Sequence, residues 1–171
     1  MVRRTRSRAG YTLVEALLTV AVLGILFGLG ANLLMSVNRY FLTTRTRLDL
    51  QRQARSMMYV MTREIRQAQN STIVIDRLNI SQPPCSRITF TKPNGTVVSY
   101  WQNGNQLQTS TITGGKTFTS TLSTSMGYLA FTVPRSDDMT IMSLSMTLQE
   151  LTFQGQVKSL HTASQQIQVM N

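Results

Sequence analysis

The sequence predicts an α+β protein: a long N-terminal helix, membrane-spanning in its first half and amphipathic in its second, packed on a mostly antiparallel β-sheet. Three observations carry this. Ala16 to Ser36 is a run of 21 residues without a charge. From Leu50 onward, Leu50, Ala54, Met57, Met61, Ile65 and Ala68 recur at helical spacing, which puts them on one face. After Ser71 the apolar period changes from 3.6 to 2, the signature of strands with one buried face.

The first ten residues are basic, with Arg3, Arg4, Arg6 and Arg8 and no acid. From Tyr11 the chain turns apolar. Ala16–Ser36 as a helix would span about 31 Å, close to a hydrocarbon core of roughly 30 Å. Arg39 ends the run and can snorkel to the interface. Three readings fit: a plain transmembrane anchor, a secretory signal cut after Gly28-Leu29-Gly30, and a leader cut before the apolar run, after Gly10. Glu15 separates them. A carboxylate inside an apolar segment costs about 2.5–3.5 kcal/mol at a helix centre and less near its end. Neither a secretory signal nor a plain anchor has a use for it.

Gly10-Tyr11-Thr12-Leu13-Val14-Glu15 resembles the type IV prepilin processing motif, Gly-Phe-Thr-Leu-(Val/Ile/Leu)-Glu, with Tyr11 in place of Phe. Tyr keeps the ring and adds a hydroxyl. The resemblance implies that a prepilin peptidase cuts between Gly10 and Tyr11 and methylates the new amine of Tyr11. Glu15 then takes the fifth mature position and serves subunit assembly. In a helical assembly the amine of one subunit can approach Glu15 of its neighbour. Breaking such a buried pair from one side costs about 3–5 kcal/mol, so the pair would act as a registry device. The plainer alternative is that Glu15 snorkels to water at the membrane face. The four leader arginines hold the N-terminus in the cytoplasm by the positive-inside rule, against a weaker pull from Arg39, Arg45 and Arg47.

Beyond the membrane segment no Pro interrupts the chain before Pro83, and one helix is expected from about Thr12 to about Gln69. Arg45, Arg52, Arg55, Arg63 and Arg66 fall largely off the apolar stripe. Asp49 can pair with Arg45 or Arg52, adding a few tenths of a kcal/mol. Asn70 is a plausible left-handed cap. Gly24, Gly28 and Gly30 each weaken the helix by up to about 1 kcal/mol. They serve either close helix–helix contact or local melting on assembly, and contact is the preferred reading. Arginine stripes also suit phosphate binding. Here Tyr59 is the only ring between Phe41 and Phe90, and the stripe reads as a solvated face without nucleic acid.

The C-terminal region reads as strands and turns. Ile73-Val74-Ile75 begins one strand. Ile88-Thr89-Phe90 and Val97–Trp101 flank Asn94-Gly95, a strong hairpin signal. Asn103-Gly104 and Gly114-Gly115 mark further turns. Leu129, Phe131 and Val133 alternate, as do Met142, Leu144, Met146 and Leu148 after an Asp137-Asp138 turn, and Ile167 and Val169 close the chain. The expected domains are a leader at 1–10, a membrane and assembly segment at 11–37, an amphipathic segment at 38–70 and a β-rich domain at 71–171. The resemblance gives this arrangement a name, the pilin lollipop.

Arg63-Glu64-Ile65-Arg66-Gln67-Ala68 is similar to the segment that often ends the helix in J-type minor pseudopilins of type II secretion and in PilW-type minor pilins. The resemblance therefore implies a minor pilin or pseudopilin, a structural subunit of a type IV pilus-like filament or a secretion pseudopilus. Its partners would be sibling pilins or pseudopilins, the prepilin peptidase and an inner-membrane assembly platform. It would sit as a single-pass protein of the bacterial inner membrane, its C-terminal domain periplasmic or extracellular, and then enter the filament. The alternative is a filament-tip module that binds DNA or surfaces; a basic groove with exposed rings would favour it.

Composition adds bounds. Net charge is +10. Without the first ten residues, 13 basic and 7 acidic residues leave +6, compatible with several acidic partners. A lone cysteine, Cys85, forms no internal disulfide and reads as a loop residue. His161 is the single histidine, read as an ordinary surface residue of a late strand. Asp137 and Asp138 fall far short of the 6–8 oxygens of a Ca²⁺ site. No catalytic residues, cofactor or metal ligands are expected.

Overall fold

The computed structural model describes residues 12–135, 138, 140–152 and 157–170. One helix, α1, runs without a break over Leu13–Arg66. The chain divides into two units, Met1–Phe41 and Leu42–Asn171. In the second unit α1 buries Leu50, Ala54, Met57, Met61 and Ile65, with Met58 and Thr62 widening the stripe. Asp49 pairs with Arg52 one turn on, at 3.8 Å.

α1 ends earlier than expected. Its last turn tightens, with Gln67 N–H donating to Glu64 O at 3.1 Å and Ala68 N–H to Ile65 O at 3.0 Å. Bonds to the sheet then replace helical ones. Gln69 N–H donates to Thr91 O at 2.9 Å, and Met170 N–H donates to Arg66 O at 3.2 Å. Asn70 is therefore no left-handed cap; it opens a 3-10 turn at Asn70–Thr72.

The strands are β1 (Val74–Asp76), β2 (Arg87–Thr91), β3 (Val97–Asn103), β4 (Gln106–Thr113), β5 (Lys116–Ser123), β6 (Met126–Thr132), β7 (Ile141–Thr152) and β8 (Val157–Gln168). All pairings are antiparallel. The expected α+β arrangement of a long helix on antiparallel strands is what the structure shows, with the strands divided: β1 to β5 form a five-stranded meander and β6–β7–β8 a separate three-stranded sheet. The β4–β5 hairpin turns on Gly114 and Gly115, at φ 57 and 76, where glycine alone escapes Cβ strain.

Gln102 joins the two sheets at the place where a strand ladder is missing. It is 4% exposed. Its Oε1 accepts from Leu129 N–H at 2.9 Å, and its Nε2 donates to Gly127 O at 3.3 Å and Gly104 O at 2.9 Å. Two backbone bonds flank it, Met126 N–H to Asn105 O and Phe131 N–H to Cys85 O, both 2.8 Å.

One core lies under both sheets. α1 contributes its stripe, β2 and β3 contribute Ile88, Phe90, Val98 and Tyr100, and β6 and β7 contribute Leu129, Phe131, Met142, Leu144, Met146 and Leu148. Phe90 and Tyr100 stack with centroids 6.5 Å apart. Ion pairs pin the rim. Glu64 on α1 pairs with Lys92 beyond β2, and Arg87 takes both oxygens of Asp76 across β1–β2. That fork holds the Asp76 carboxyl below its ordinary range.

Candidate assembly site

The first turn of α1 is built by Thr12. Its carbonyl accepts the first helical bond, from Ala16 N–H at 3.2 Å. Its Oγ1 accepts from Glu15 N–H at 3.3 Å. Thr12 is thus the N-cap and Glu15 the third helical residue, the spacing of a capping box. The Glu15 carboxylate sits at the positive end of the helix dipole. Among the described residues it pairs with no cation. The sequence pattern offers Glu15 an assembly role or a place at the membrane face. The Thr-x-x-Glu pattern before an apolar run is the signal that assigns it this further, local role.

Behind Glu15 the helix is apolar all round. Leu17, Leu29 and Phe27 are 63%, 63% and 78% exposed, and at 3.6 residues per turn they lie on different sides. A helix on a soluble core shows one stripe; this one shows a sheath, long and apolar enough to cross a membrane. Full burial of each such side chain is worth about 1.5–3 kcal/mol, so the sheath calls for lipid or other helices. Thr19 stays compatible with it by donating its hydroxyl to Ala16 O at 2.8 Å. α1 remains helical through Gly24, Gly28 and Gly30. Apart from chain neighbours and the helix's own backbone, no atom of the described residues lies within 4 Å of where their Cβ atoms would stand, so no described residue uses their smallness.

Gly10 and Tyr11 lie outside the described residues, as does Asp137. Asp138 accepts from the Thr140 hydroxyl and from Thr140 N–H at 2.9 Å; the hydroxyl bond first and the backbone bond second lower its pKa and make it a turn residue. Cys85 takes a left-handed φ of 61, in the turn before β2, half-buried. His161 lies on β8 opposite Leu148, half-buried rather than on the open surface. It is not brought near Cys85 by any bond or pairing. No three His, Cys, Asp or Glu side chains converge among the described residues.

Residues 5–31 match the family model described as the prokaryotic N-terminal methylation motif. No curated protein and no solved structure matches the chain. The match covers Gly10, Tyr11, Glu15 and most of the apolar sheath, and supports a type IV pilin-like family.

Proposed function

We propose that the chain is a minor subunit of a type IV pilus-like filament or of a type II secretion pseudopilus, cut after Gly10 and methylated on Tyr11. One observation carries the reading: a methylation motif leads directly into a helix that is apolar on every side and holds a single carboxylate in its first turn. Before assembly the sheath rests in the inner membrane, with the leader in the cytoplasm. In the filament, helices of other subunits replace the lipid. Glu15 then meets the methylated amine of a neighbour, and the pair sets the register because breaking a buried pair from one side is strongly destabilising. The short Arg63–Ala68 segment supports a minor over a major subunit. The prepilin peptidase, sibling subunits and an inner-membrane platform are the partners of this reading.

Fractionation tests it. The chain should appear with filaments sheared from cells, and deletion of the prepilin peptidase should return it to the membrane fraction. A chain that stays in the membrane while its system assembles filaments would remove the subunit reading.

A further inference from the structure

The helix α1 does not cover the whole inner face of the three-stranded sheet. On β8, Ile167, Gln165, Ala163 and His161 share the face of the buried β7 residues Met142, Leu144, Met146 and Leu148. Ile167 is buried and Thr62 on α1 donates its hydroxyl to Gln165 Oε1 at 3.2 Å, yet Gln165 is exposed and Ala163 and His161 are half-open. Between this uncovered shelf and the flank of α1 runs a trough of about 670 Å³. Arg55, Tyr59, Arg63 and Arg66 line it from the helix, and Gln165 and Met170 from the strand side. Smaller hollows continue it along the same seam, one reaching His161 and Ala163, the other Gln168 and Val169. The seam follows α1 from Gln51 to its end at Arg66, about 23 Å or four turns of helix.

Three features say what fits there. Tyr59 is 68% exposed and Met170 77% exposed; Tyr, Met and Arg together are the composition of protein interface centres. The main trough has no acidic side chain in its lining. Arg55 and Arg66 have no ion pair among the described residues, while Arg63 reaches only the adjacent Glu64 at 3.4 Å. A second copy of this chain is a poor occupant. Residues 39–66 hold seven arginines against Asp49 and Glu64, a net +5, and Glu64 is already held by Lys92. Like copies would set positive flank against positive flank, which is repulsive. A single ring and a partly apolar lining are a thin platform for nucleic acid, which stacks on several rings in a continuous basic groove.

We infer that this trough docks an acidic amphipathic helix of a different subunit of the same filament, so that the chain is made for a mixed assembly and not for a polymer of itself. The inference rests on the filament reading. The partner helix packs apolar residues on Met58, Tyr59 and Met170 and turns carboxylates to Arg55, Arg63 and Arg66. It extends the cover that α1 begins over the sheet.

The test places a photo-cross-linking amino acid at Tyr59 or at Ala163 in the full-length chain, in cells that assemble filaments. Cross-linked peptides are then identified by mass spectrometry. The expected product joins both positions to one acidic helical segment of another filament subunit. The triple substitution Arg55→Glu, Arg63→Glu, Arg66→Glu should cut its yield about tenfold, with the thermal melt of the chain preserved because all three lie on the surface. Products with a second copy of this chain, with DNA or with lipid alone would overturn the inference, as would the absence of any product from filaments that contain the chain. In those cases the subunit reading still stands. A chain absent from the filaments overturns both.

Discussion

Glu15 stands in the first turn at the helix start, and the proposed filament reading adds an intermolecular role toward a neighbour's amine; substitution separates the two. Glu15→Ala should insert in the membrane as well as the natural chain or better, since a costly carboxylate is gone from an apolar helix. Cleavage after Gly10 should persist, because that bond is well upstream of Glu15 in the sequence. Incorporation into filaments should fall sharply. Glu15→Gln should be milder only if hydrogen bonding carries part of the effect. Thr12→Ala is the control: it removes a cap worth about 1 kcal/mol and leaves the charge. If Thr12→Ala and Glu15→Ala lower filament yield equally, the local role is the whole effect and the registry role is wrong. Tyr100 gives a second residue-scale prediction. Burial, and then the nearby Glu64 carboxylate, push its phenol up to about 12. An unfolded tyrosine titrates near 10, so the buried neutral phenol favours the fold fully below pH 10. That contribution, roughly 3 kcal/mol, is lost as pH rises from 10 to 12. The chain should lose stability across this window, measured by denaturant melts, and Tyr100→Phe should lessen the loss. Equal alkaline losses in both would assign the effect elsewhere.

At the scale of elements, the sheets depend on Gln102. Gln102→Leu keeps bulk but leaves the Leu129 N–H and Gly127 O without their partner. An unpartnered buried group costs about 1–3 kcal/mol, and the melting midpoint should fall accordingly. Gln108→Leu, whose amide reaches only exposed Gln106, should shift stability by less than about 0.5 kcal/mol. Similar losses in the two variants would show that Gln102 does not join the sheets. This suture also marks where sequence reading stops. The stripe from Leu50 to Ala68 is legible because six apolar or small residues repeat at helical spacing, and all six are buried. β2, β3, β6 and β7 are legible by alternation. β5 is not, because nearly every side chain on it is exposed and a strand without a buried face has no apolar period; only the Gly114-Gly115 turn points to it. The division into two sheets is invisible for a different reason: a glutamine amide stands in for a backbone ladder, and no pattern of apolar residues encodes that. The end of α1 was set by Thr91 O and the Met170 N–H, groups distant in sequence.

At the scale of the whole molecule, the two units make opposite demands on solvent. Residues 13–37 expose apolar groups on every side, while the second unit closes its own core from α1 and both sheets. The portion from Arg39 onward should therefore fold without the membrane segment, with mixed α/β circular dichroism and one cooperative melt. A disordered spectrum at neutral pH would mean that the sheets need a partner to close. The proposed processing and assembly residues, Gly10, Tyr11 and Glu15, are legible as a pattern of residue types, and the trough beside β8 is legible only once β8 and α1 stand in place, because Arg55 and Gln165 are far apart along the chain.

A processed filament subunit carries the record of processing at its N-terminus. Co-expression of the full chain with a prepilin peptidase, followed by intact and N-terminal mass spectrometry, should yield a product ten residues shorter that begins at Tyr11 with a methylated amine. An N-terminus at Ala31, the mark of a secretory signal, or a chain that keeps its leader would contradict the account.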